Sequence, residues 1–144
     1  MAEHDDAGHP KADPEFAPSE RLFRRVPVTS LLGDSVDDTA LPAPSFSVNR
    51  EKYSAPHDVL LGREGFRVAA FSVGDLPSNV EAEDSRQYAM SVEHEPEPDN
   101  YAHSGVHTLC EGVRMTSKPS KIIRKKLRDL LRRKIKVLDL EAPK

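Results

Sequence analysis

The chain reads as a small α+β domain: a mostly antiparallel sheet with a basic amphipathic helix near the C-terminus packed on one face, preceded by a disordered arm. Three observations predict this. Residues 66–73 place apolar side chains on both faces of a two-residue repeat, and residues 87–95 alternate apolar and polar, the patterns of a covered and a half-exposed strand. From Ile122 the apolar residues Ile123, Leu127, Leu130 and Leu131 instead recur at helical spacing. Met1 to Glu20 carry Pro10, Pro14 and Pro18, several acids and Phe16 alone as a large apolar side chain, too little to offset the entropy of ordering.

Taken in order, residues 1–20 read as an acidic disordered arm and 21–45 as a docking segment and linker. Arg21, Arg24 and Arg25 interleave with Leu22, Phe23, Val26, Leu31 and Leu32, and Gly33-Asp34 marks a turn. Residues 20–32 could therefore hold a protein partner, apolar groups filling a groove and arginines meeting acidic edges. The alternative is an ordered extension packed on its own domain.

Residues 46–140 form the expected domain. Phe46-Ser47-Val48 reads as a short strand and Asn49 to Ser54 as a polar turn. Pro56 suits the first position of a short helix that Gly62 stops. Phe66 to Val73 is apolar on both faces, which predicts a strand covered on both sides. Residues 78–85 read as an acidic loop. Residues 87–95, with Tyr88, Met90 and Val92 inward, pair with 104–115 across a loop broken by Pro96 and Pro98. Thr116 and Ser117 offer capping hydroxyls before a helix over about 119–133. Lys134 would fall inside its apolar stripe, so residues 135–138 read as a short strand or extended tail. The sheet is expected to hold about three to five strands.

Charge is unevenly divided. Residues 118–144 carry eleven Lys/Arg against three Asp/Glu, whereas residues 1–117 carry ten against twenty-one. Lys121, Arg124, Lys125, Arg128, Arg132 and Arg133 are candidate contacts to an RNA or DNA backbone, where cations release condensed counterions. No aromatic residue is interleaved, so base stacking is not indicated and such binding would be non-specific. The alternatives are a protein partner, a solvated face, or pairing with the chain's own acids at Glu93, Glu95, Glu97 and Asp99.

Other constellations are weaker. His94 and His103 could act as base and acid on a phosphate, with Arg50 or Tyr53 stabilising developing charge, as in a small metal-independent ribonuclease of toxin type. The rival reading makes them surface histidines of a hairpin. Asn49 and Arg50 could face Asn100 and Tyr101 as a ligand loop for a nucleotide or a peptide carboxylate. His103 and His107 share a strand face but lie about 13 Å apart at ~3.3 Å per residue, so no metal site and no cofactor is expected. The chain lacks a Gly-rich phosphate loop, a paired CxxC and a G-x-S-x-G elbow. With a single cysteine, no leader-like apolar run and no membrane-length apolar stretch, it reads as a cytoplasmic protein that does not enter membranes. The leading expectation is a non-enzymatic accessory or regulatory protein of a larger assembly that touches nucleic acid through its basic helix.

Overall fold

The computed structural model describes residues 11–140. Its centre is a curled eight-stranded antiparallel sheet. The long strands are β1 (Arg21–Pro27), β4 (Ser45–Arg50), β5 (Phe66–Ser72), β7 (Gln87–His94) and β8 (His103–Cys110). Short strands complete it: β6 (Val80–Glu81), β9 (Val113–Arg114) and β10 (Lys136–Leu138). The order is β10-β5-β1-β4-β8-β7-β6, with β9 pairing β8. The two-residue strands β2 (Leu31–Leu32) and β3 (Ser35–Val36) form a separate hairpin. Helices α1 (Pro56–Leu60) and α2 (Lys121–Arg132) complete the mixed α+β architecture.

Side-chain parity along the strands assigns residues to two faces. Leu22, Val26, Phe46, Val48, Ala69, Phe71, Tyr88, Met90 and Val106 form the main buried cluster, which also contains Ile123, Leu127, Leu131 and Ile135. On the other face Phe23, Val68 and Ala70 make a smaller cluster, with Val59 and Leu60 of α1 and Leu138 and Leu140 against it. The two-sided apolar pattern of Phe66 to Val73 thus has its physical cause: β5 lies between β1 and β10 and feeds both clusters.

The hairpin of β7 and β8 has the anticipated register, with His94 opposite Ser104. α1 begins at Pro56, and Asp58 accepts the Ala55 amide proton at 2.7 Å. α2 starts two residues later than the sequence suggests, because Ser120 rather than Thr116 or Ser117 caps it by accepting from the Ile123 amide. It ends at Arg132, before Lys134 would enter the apolar stripe, and the chain turns into β10.

The larger departure concerns the N-terminal third. Residues 21–27 are neither linker nor free docking segment: they form a strand between β4 and β5, with Leu22, Phe23 and Val26 fully buried. Three arginines obscure its alternation. Each guanidinium lies over a ring, Arg21 over Phe23, Arg24 over Phe46 and Arg25 over Phe66, so the cations cover apolar surface rather than seek solvent. Adding β1 and the short strands takes the sheet beyond five strands. Residues 11–20 of the expected disordered arm are also placed, held through Asp13, Glu15 and Glu20. The first ten residues of that arm lie outside the described residues.

Burial along α2 is uneven in a testable way: Leu127 is 1% exposed and Ile122 63%. Leu127→Ala should cost about 2–5 kcal/mol and Ile122→Ala less than about 0.5 kcal/mol, read as shifts in urea midpoint.

Candidate functional site

The histidine pair is the first test of the expected chemistry. Because His94 lies opposite Ser104, His103 points from the other face of the sheet. Two imidazoles on opposite faces cannot address one phosphate. His94 is buried, and its ring nitrogens are both occupied. The Asp13 amide donates to Nδ1 at 2.8 Å, so the proton sits on Nε2, which donates to the Tyr101 carbonyl at 2.5 Å. The ring stacks on Tyr53 and meets Tyr101 edge-on. Burial lowers its pKa below the ordinary histidine value, against the Tyr101 carbonyl bond, and the Arg50 charge pushes the same way. His103 is tied on its own face, Nδ1 donating to the Glu95 carbonyl at 2.8 Å and Nε2 facing the Ser47 hydroxyl at 3.2 Å.

Arg50 and Tyr53 are likewise committed. The Arg50 side chain is fully buried and makes four hydrogen bonds: Nε and Nη2 to the two oxygens of Glu20, Nη1 to the Asp13 carbonyl and Nη2 to the Glu15 carbonyl. Phe16 covers it, with the guanidinium carbon 3.8 Å from the ring centroid. Tyr53 donates its phenolic proton to Asp13 at 2.6 Å. Lys52 and Tyr53 hold the Asp13 carboxyl well below the usual carboxylate range. The four residues expected to form a catalytic set therefore do not converge on a shared open site.

The ligand loop is split by the same parity. Asn49 and Asn100 do meet, Nδ2 of Asn100 donating to Oδ1 of Asn49 at 2.8 Å. They line two adjoining clefts of about 280 and 670 Å³ between α1, β4 and the β7–β8 turn. Tyr101 borders the larger, His103 the smaller, and Asp58 and Leu61 both. Arg50 points away from them, beneath the arm.

The basic helix presents a different picture. Arg128 donates to the Leu41 carbonyl at 2.8 Å and Lys126 to the Glu81 carbonyl at 2.6 Å, while Arg132 pairs with Asp38 and Asp129. Lys125 pairs with Asp129. Lys118, Lys121, Arg124, Arg133, Lys134 and Lys136 have no acidic partner among the described residues, and all but the half-buried Arg124 are exposed. The hairpin acids do not reach the helix: Glu93 and Glu95 face Arg114, and Glu97 lies 3.9 Å from His103. Internal neutralisation by that loop is therefore not what this fold does.

One cluster escaped the sequence reading. Glu93, Glu95 and His107 lie together, with ligand-capable atoms within 4.8 Å of one another. His107 lies in β8 and Glu95 just past the end of β7, so linear spacing could not join them. The signal available was the hairpin register, which sets Ser91 opposite His107 and Glu93 opposite Gly105.

Among the described residues no helix is long and apolar enough to cross a membrane. Comparison of the chain with known protein families, with curated proteins and with solved structures finds no match.

Two outcomes follow. Arg50→Met leaves Glu20 buried without its cation and should cost about 3–5 kcal/mol, with amide exchange accelerating first in residues 13–20. For His94, an unfolded imidazole takes a proton below about pH 6.5 whereas the folded one resists. Its contribution is complete above that pH and is lost as pH falls through the lowered folded value. Urea midpoints should therefore fall between about pH 7.5 and pH 5.5, and the slope should flatten in His94→Asn.

Proposed function

We propose that this protein is a non-enzymatic binding module of a larger assembly, with the basic helix α2 contacting a nucleic-acid backbone. In this reading α2 is packed on the inner face of the sheet and presents its cations outward. The observation that carries it is the missing counter-charge: eight cations in and around α2 lack an acidic partner among the described residues, two of them bonding only backbone carbonyls, while the hairpin acids are engaged elsewhere. A fixed row of exposed cations attracts phosphate through counterion release. The buried stripe at Ile123, Leu127 and Leu131 supports a helix that stays folded while doing so.

In this reading the contact shifts along the helix. Arg128 and Arg132 are drawn into bonds with Leu41 and Asp38, so Lys118, Lys121, Arg124, Arg133 and Lys134 are the better assignment, with Lys125 shared with Asp129. The ribonuclease alternative has less support, because His94 is sequestered and His103 points from the opposite face.

Anisotropy titrations with labelled single-stranded RNA and duplex DNA test this. Binding should weaken steeply with salt, with a logarithmic slope of about 3–4 on duplex if four phosphates are contacted. Changing Lys121, Arg124 and Arg133 together to Glu should abolish it without unfolding the chain. Undiminished binding by that variant, or no binding at low salt, removes the proposal.

A further inference from the structure

We infer that Glu93, Glu95 and His107 form a site for a divalent transition-metal ion, with the Arg114 guanidinium as the resident cation that such an ion displaces. The site lies on the outer face of the β7–β8 hairpin, apart from α2. His107 is 4% exposed, and its Nδ1 lies 2.7 Å from the Ser45 hydroxyl. A second hydrogen bond of this kind fixes the ring of a metal-bound histidine.

The groups around Nε2 are crowded. Glu95 Oε2 is 2.8 Å away. Arg114 Nη2 is close to both ring nitrogens, 2.5 Å from Nε2 and 2.9 Å from Nδ1, so it lies over the imidazole and not on its in-plane lone pair. Arg114 also touches Glu95 at 3.0 Å and Glu93 at 3.5 Å, so three Lewis bases surround one cationic group. A single metal ion accepting the Nε2 lone pair and both carboxylates satisfies all three at once.

The backbone is shaped for this cluster. A Cβ at Gly105 would lie 2.3 Å from Glu95 Oε1 and 2.6 Å from His107 Nε2. Only a residue without a side chain lets the two groups close over the strand. One imidazole with two carboxylates favours zinc, manganese or iron over magnesium or calcium, and three protein ligands leave a position for solvent.

The test uses the full chain after chelator treatment, with Co²⁺ followed by its visible bands and Zn²⁺ by calorimetry. One ion should bind per chain. Glu95→Gln and Glu93→Gln should each weaken binding roughly tenfold or more, Gly105→Ala should abolish it, and Arg114→Ala should tighten it because the competitor is gone. Absence of Co²⁺ bands and Zn²⁺ heat in the wild-type chain overturns the assignment. So does unchanged affinity in both glutamine variants, which would place the metal elsewhere. Because Glu93 is exposed, its variant should fold normally and keeps the test decisive if the others do not.

Discussion

The buried guanidinium of Arg50 is the constraint around which the N-terminal part of this fold is arranged. Burying a charge is unfavourable unless it is paired and its hydrogen bonds are met. The last residue of β4 carries that charge, and the chain answers it by folding residues 13–20 back across the sheet end. Glu20 supplies the counter-charge, Asp13 and Glu15 supply carbonyls, and Phe16 seals the ring of contacts. The same loop delivers the Asp13 amide to His94 and its carboxylate to Lys52 and Tyr53. A segment too polar to fold by itself is thus ordered by one cation it encloses.

That arrangement also decides what the histidines and the polar turn can do. Strand parity separates Asn49 from Arg50 and His94 from His103, so groups adjacent in sequence serve different faces. The inner-facing members are used to close the core. The outer-facing ones border the clefts or join the Glu93–Glu95–His107 cluster. Proximity along the chain suggested chemistry that pleating then divided.

Much of the domain was legible from pattern alone. The alternation of Tyr88, Met90 and Val92, the double-sided strand at Phe66 to Val73, the Pro56 start and the phase break at Lys134 each follow from a local rule and each held. What was not legible depended on partners distant in sequence. The arginines of β1 hide its period because their stems and guanidinia pack on Phe23, Phe46 and Phe66, a use of charge that composition reads as solvent exposure. The order of residues 11–20 depends on Arg50, some thirty positions away. The meeting of Asn49 with Asn100 could be anticipated from the turns, whereas Arg114 over His107 required the pairing of β8 with β9.

The uneven charge of the chain survives folding: the hairpin acids Glu93, Glu95 and Glu97 meet Arg114 and His103, not the cations of α2. The most direct measurement is amide chemical-shift mapping of the labelled full chain titrated with a short RNA or DNA duplex at low salt. The account predicts shifts concentrated at residues 118–125 and 133–136, fading as salt rises. Shifts centred on Asn49, Asn100 and His103, or none at all, would contradict it.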